Sequence, residues 1–89
     1  MREQQITVSN RLGLHARASA KLVQLVHGYK SLVWLISDTR EVNAESIMGV
    51  MLLAAGPGTT LTVRVDGVDE VETMGAVAAL FARKFDEGD

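Results

Sequence analysis

No cysteine occurs in the 89 residues, and that one absence removes disulfides, thiolate nucleophiles and cysteine-ligated zinc from consideration. Only two histidines are present, so a histidine-rich metal site is excluded as well, and neither a metal nor a cofactor is expected. Neither sign of charge is in large excess: nine basic and eleven acidic residues leave a formal net charge of −2. That balance gives no whole-molecule basis for binding nucleic acid. No long hydrophobic run exists either. The longest, residues 47–55, is too short to cross a bilayer and contains Gly49, so no membrane insertion is expected. The polar start Met1-Arg2-Glu3-Gln4-Gln5 leads into a strand rather than a signal peptide, and a cytoplasmic location is expected.

What is present is an ordinary globular composition, 47% hydrophobic and 22% charged. A chain of this size supports one core, so residues 1–89 are expected to form a single domain, and a monomer suits its size and charge.

Alternation around Ile6 and Val8 predicts a strand over residues 4–9. Ala16, Ala20, Val23 and Val26, with Leu22 beside them, have helical spacing, and Gly28 stops that helix after His27. Residues 32–37 form a β-rich run joined by Asp38-Thr39 to Arg40-Glu41-Val42-Asn43. A hairpin across that link sets Leu35 opposite Val42 and puts Val33, Leu35 and Val42 on one face. Leu32, Trp34 and Ile36 then share the other face, where their exposure is expected to mark a contact surface. Ser46 caps a short helix from Ile47 to about Leu53. Gly56-Pro57-Gly58, around the only proline, ends that segment. Residues 60–66 alternate with Leu61, Val63 and Val65 inward. Asp69 and Glu72 have capping-box spacing and open a last helix carrying Met74, Val77, Ala78, Phe81 and Phe85. The tail Asp86-Glu87-Gly88-Asp89 is expected to fray. The order β-α-β-β-α-β-α predicts an α+β open-faced β-sandwich, a four-stranded antiparallel sheet with three helices on one face.

Against that frame His15 stands out, inside Gly13-Leu14-His15-Ala16-Arg17 where a loop becomes a helix. Its imidazole lies beside the unpaired N–H groups of a helix N-terminus and the Arg17 guanidinium, with Arg11 and Lys21 near enough in sequence to add positive charge. An imidazole is available as a neutral nucleophile near neutral pH, which suits transient phosphoryl carriage on a ring nitrogen. The amides of Ala16 and Arg17 donate to the phosphoryl oxygens, and the Arg17 side chain pairs with the group. Asn10, Arg11 and Leu12 precede the site and are candidates to touch a partner. His27, at a helix C-terminus, reads as structural. Ile47, Met48 and Met51 are expected to stay partly exposed as an adaptable docking surface.

Gly13-Leu14-His15-Ala16-Arg17, Val42-Asn43-Ala44-Glu45-Ser46-Ile47-Met48-Gly49-Val50-Met51 and the element order together resemble the HPr family. These are the histidine-containing phosphocarriers of the bacterial phosphoenolpyruvate-dependent phosphotransferase system, and the likeness covers nearly the whole chain. It takes in sugar-transport carriers and their nitrogen-related NPr paralogues alike. The resemblance implies that His15 accepts a phosphoryl group from enzyme I and passes it to EIIA domains, which makes the protein a carrier rather than an enzyme. It implies a regulatory phosphorylation site at Ser46 for HPr kinase/phosphorylase. It also implies that the Ser46 helix and the start of the first helix form one surface for successive partners. Two positions depart from the family pattern: Ala18 stands where proline is usual, and Glu45 where a basic residue is common. A second reading is a regulatory phospho-switch that signals by protein contact through His15 or Ser46 without sugar transport.

Overall fold

The computed structural model describes residues 1–87. The chain runs through β1 (Arg2–Thr7), α1 (Ala16–His27), β2 (Leu32–Ile36), β3 (Glu41–Asn43), α2 (Ile47–Met51), β4 (Thr60–Asp66) and α3 (Glu70–Ala82), then a short 3-10 turn at Lys84–Asp86. The strands form one antiparallel sheet in the order β1-β4-β2-β3. This is the α+β architecture that the sequence predicts, in the predicted element order.

The sheet buries one face by simple alternation. Leu61, Val63 and Val65 of β4, Val33 and Leu35 of β2 and Ile6 of β1 meet α1 and α3 across a shared core. Each fully buried Leu or Val contributes about 1.5–3 kcal/mol relative to exposure, so this alternation outweighs any local propensity in setting the register. Leu35 lies opposite Val42, as the hairpin reading requires. On the opposite face Leu32 is exposed, while Trp34 and Ile36 are half-buried, less open than expected. Trp34 lies level with Arg64 of β4 and Asn43 of β3, so neighbouring strands shield its ring.

Several elements differ from the sequence reading. β1 starts two residues earlier and ends at Thr7, because Arg2 to Thr7 pair with residues 60–65 of β4. Val8 is still buried and still paired, giving its N–H to Thr59 and taking the Gly58 N–H. In α1 the inward face is Ala18, Ser19, Leu22, Val23 and Val26; Ala16 is exposed. Ser19 is admitted to the core because its hydroxyl donates to the Leu14 carbonyl.

The capping box at Asp69 and Glu72 does not form. Asp69 is the N-cap residue of α3, yet its carboxylate accepts no backbone N–H of that helix. It accepts the Lys30 N–H and the hydroxyls of Ser31 and Thr73, tying the α1–β2 connection to α3. Glu70 instead takes the Gly67 N–H and pairs with the chain's terminal ammonium. The hydrogen bonds from Lys30 and Ser31 outweigh burial and hold the Asp69 carboxyl below its ordinary range. A depressed folded-state pKa means that this contribution is intact above about pH 4 and is lost as pH falls through the lower, folded value. Asp69→Asn is therefore expected to be less stable at neutral pH and to show a shallower loss of stability below about pH 4. Urea midpoints measured across that range check it; parallel curves for the two proteins would contradict it.

The last helix also stops short. α3 ends at Ala82, and Lys84, Phe85 and Asp86 have φ of 55°, 55° and 59°, a left-handed turn that non-glycine residues seldom adopt. Phe85 thus does not continue the helical stripe. It folds back, fully buried, with its ring centroid 4.9 Å from that of Phe81 in an edge-to-face pair.

Candidate functional site

His15 is the residue immediately before α1, with extended backbone (φ −74°, ψ −179°). Its carbonyl accepts the first helical N–H, from Ser19, so the amides of Ala16, Arg17 and Ala18 precede the intrahelical ladder and point from the helix start. The approach to His15 is set by Gly13, whose φ of +66° lets Leu14 N–H reach the Ala55 carbonyl at 2.9 Å. The Gly13 carbonyl in turn receives the His15 N–H at 2.9 Å and the Asn10 side-chain amide at 2.7 Å. Two short-range bonds on one carbonyl fix the imidazole-bearing residue before the helix begins. Ala18, where family members usually have proline, is buried in the first turn, and the helix starts at Ala16 regardless.

The His15 ring opens on a cleft of about 690 Å³ lined by Arg11, Leu12, Ala16, Arg17, Lys21, Asp86 and Glu87 as well. Three of the cations singled out in the sequence are therefore gathered here. They are not equivalent: the Lys21 ammonium donates to the Phe85 carbonyl at 2.7 Å and is committed to holding the terminal turn.

Glu87 was missed by sequence reasoning. The tail containing it was expected to fray, but among its described residues Asp86 pairs with Arg83 and Glu87 is fastened into the site; Gly88 and Asp89 lie outside the described residues. The Glu87 carboxylate, only 11% exposed, is hydrogen-bonded to His15 Nε2 through one oxygen. Its other oxygen takes the Asn10 side-chain amide at 2.9 Å. Burial raises the Glu87 carboxyl, but the Asn10 and His15 hydrogen bonds and the positive charge of Arg17 together bring it below its ordinary range. The only sequence signal was a carboxylate close behind an apolar anchor, Phe85, and nothing in local spacing connects it to His15, 72 residues away.

Asn10 is fully buried, which corrects its place among candidate partner contacts. Its role is internal, bracing Gly13 and Glu87. Leu12 is exposed at the cleft margin. His27 sits exposed in the last turn of α1, away from the cleft lining.

Ser46 is the N-cap of α2 and accepts the Gly49 N–H at 3.1 Å through its hydroxyl. Its side is exposed, as are Ile47, Met48 and Met51, with Met48 at 71% the most open of the three. Leu52, which the sequence reading did not name among the exposed residues, is exposed as well, because α2 ends at Met51 instead of running to Leu53. Only Val50 of α2 is buried, and α2 packs against α1, so this apolar surface adjoins the helix that His15 opens. Among the described residues no cluster of acidic, histidine or cysteine side chains could hold a metal, and no helix is long and apolar enough to cross a membrane.

Chemically, the arrangement offers one imidazole with a partner on Nε2, unpaired helix amides beside it and cationic side chains around an open cleft. That is a site for a group that is anionic and transient.

Comparisons with known proteins agree with this reading. A family model described as the PTS HPr component phosphorylation site matches residues 2–83. The phosphocarrier protein HPr of Xylella fastidiosa (strain Temecula1) is 55% identical over 98% of both chains. The phosphocarrier protein NPr of Shewanella violacea is more distant, 36% identical over 96% of this chain and 93% of its own. Among solved structures, HPr-C-His from Thermoanaerobacter tengcongensis superposes with a TM-score of 0.94 at 38% identity, covering all of both chains.

Proposed function

This chain belongs to the HPr family and is a phosphocarrier of the phosphotransferase system, phosphorylated on histidine, and we propose that the histidine is His15. The observation that carries the assignment is the convergence on His15 of the open amides of α1 and the Arg17 side chain in one cleft. His27, the other histidine, has no such surroundings.

The protein is not an enzyme. It carries a phosphoryl group between catalysts that supply most of the transition-state stabilisation. A ring nitrogen of His15 attacks phosphorus on the phosphorylated donor, enzyme I. The donor's bond to phosphorus breaks with its electron pair returning to the donor. The amides of Ala16 and Arg17 and the Arg17 guanidinium take the phosphoryl oxygens. Their hold must be modest, because the same group leaves again when an EIIA domain attacks it. Helix-end stabilisation of about 0.3–2 kcal/mol meets that requirement.

Ile47, Met48 and Met51 form the apolar part of the docking surface for both partners, with α1 beside them. Flexible thioethers suit a surface that must fit two proteins in turn. Ser46 is the regulatory site: a phosphate there stays compatible with its helix N-cap position while placing negative charge on the docking face, where HPr kinase/phosphorylase would act. The chain works in the cytoplasm, as a monomer and as one domain. The identity to HPr proteins, higher than to NPr, favours the transport carrier over a purely regulatory phospho-switch.

Intact mass after incubation with enzyme I and phosphoenolpyruvate tests the assignment. The expected result is one acid-labile phosphate on the wild type and none on His15→Ala. Retention of the phosphate by the variant would move the site elsewhere. An acid-stable phosphate added by the kinase and absent from Ser46→Ala would establish the second site.

A further inference from the structure

Glu87 has no part in the scheme above, yet among the described residues it is the one side chain bonded to the His15 ring. We propose that Glu87 is a positioning residue for phosphoryl transfer: its carboxylate accepts the Nε2–H of His15 and holds the ring in the tautomer whose free electron pair is on Nδ1. This role rests on the reading of His15 as the phosphoryl acceptor.

Three observations support it. First, the carboxylate is an acceptor only, so its bond to Nε2 requires the proton to be on Nε2. A neutral ring with Nε2 protonated carries its free electron pair on Nδ1, and no other side chain among the described residues bonds to the ring. Second, Glu87 is itself held. Asn10, fully buried, donates to its other oxygen at 2.9 Å, and the Asn10 amide is in turn anchored on the Gly13 carbonyl. An orienting carboxylate that is oriented by a buried amide is a built arrangement, in the way that carboxylates fix imidazole tautomers in other nucleophilic and metal sites. Third, the turn that delivers Glu87 is anchored from three sides. Phe85 is buried against Phe81, Lys21 donates to the Phe85 carbonyl, and the Glu87 N–H bonds the Lys84 carbonyl at 3.1 Å.

The proton bookkeeping explains what the device achieves. The Nδ1 electron pair forms the new bond to phosphorus while the donor's bond breaks and its pair returns to the donor. The His15 ring keeps its Nε2 proton throughout and becomes a phosphorylated imidazolium facing the Glu87 carboxylate. When the acceptor attacks, the P–Nδ1 bond breaks, its pair returns to the ring, and the neutral Nε2–H tautomer is regenerated. No proton leaves or enters His15 in either direction. A ring protonated on Nδ1 would have to lose that proton first. Arg17 lines the same cleft, so the guanidinium is available to the phosphoryl group while the carboxylate faces the developing imidazolium.

The test compares wild type, Glu87→Gln, Glu87→Ala and Asp86→Asn. Asp86 lines the same cleft but bonds Arg83, so its variant removes an equal charge without touching the ring. Two readouts are taken: the ¹⁵N shifts of the His15 ring in mildly alkaline buffer, which report the tautomer, and the rate of phosphorylation by enzyme I and phosphoenolpyruvate. The expected wild-type spectrum shows a protonated Nε2 and an unprotonated Nδ1. Both Glu87 variants are expected to shift toward a tautomer mixture and to accept phosphate about tenfold more slowly, the effect of losing one charge-assisted hydrogen bond. Asp86→Asn is expected to match wild type in both. Glu87 variants with wild-type shifts and rates would overturn the role, as would an equal slowing in Asp86→Asn. Acid-labile phosphate that persists on His15→Ala would instead overturn the acceptor reading beneath it, and the wild-type tautomer would then have no bearing on transfer.

Discussion

Gly13→Ala is expected to destabilise the protein strongly and to slow its phosphorylation. At φ +66° a Cβ costs about 1–2 kcal/mol in any setting. Here it would also lie 2.4 Å from the Ala55 carbonyl oxygen and 2.9 Å from the Gly56 Cα, both backbone atoms that cannot swing aside. Relieving that clash costs about 1–3 kcal/mol more. The total of about 2–5 kcal/mol corresponds to a fall in Tm of roughly 10 °C or more for a domain of this size. The oxygen that would be struck is the acceptor for Leu14 N–H, so the loop that presents His15 must shift as well. Phosphorylation is therefore expected to slow even where the variant is still folded. Gly58→Ala is the matched comparison: its φ is +87°, but nothing lies within 4 Å of a Cβ there. Thermal melts of the two variants separate the conformational cost, common to both, from the steric cost unique to Gly13. Equal losses would show that the Ala55 carbonyl yields easily.

Phe85→Ala is expected to have the other large effect, for reasons that reach the site. The side chain is fully buried and pairs edge-to-face with Phe81, and deleting such a ring costs about 3–5 kcal/mol. It also holds three successive left-handed residues in a conformation they would not keep without a core contact. Removing the ring should release the turn, the Lys21 bond to the Phe85 carbonyl and, with them, the Glu87 carboxylate from His15. Phe85→Ala studied well below its Tm is expected to reproduce the His15 tautomer shift of Glu87→Gln, and adding Glu87→Gln to it should change that spectrum little further. Phe85→Leu, which keeps an apolar anchor, should lose less stability and retain more of the wild-type spectrum. A Phe85→Ala protein with reduced stability but an unchanged His15 ring would mean that the terminal turn holds Glu87 without its buried anchor.

Much of this protein was readable from neighbouring residues. Strict alternation in residues 60–66 decided which face of β4 is buried. The two-residue link Asp38-Thr39 decided that Leu35 meets Val42, since a one-residue slip would have turned Val33 and Leu35 to solvent. The limits of α1, from Ala16 to His27, and the Ser46 cap followed from helical spacing and from a hydroxyl placed just before an apolar run. His15 and Arg17 were legible for the same reason: a helix start is a local event, and its open amides lie within the motif itself.

Tertiary structure alone decided the rest. Asp69 had the spacing of a capping box, but the loop after α1 presents an N–H and a hydroxyl that compete for its carboxylate and win. The apolar stripe of α3 pointed to Phe85, but only the position of the core shows that the chain must turn left-handed after Ala82 to bury it. The placement of β4 between β1 and β2 depends on which faces need covering, not on any one segment. Glu87 is the clearest instance. Spacing carries information over a turn of helix or a pair of strands. A contact across 72 residues exists only because the packed core returns the end of the chain to the start of its first helix.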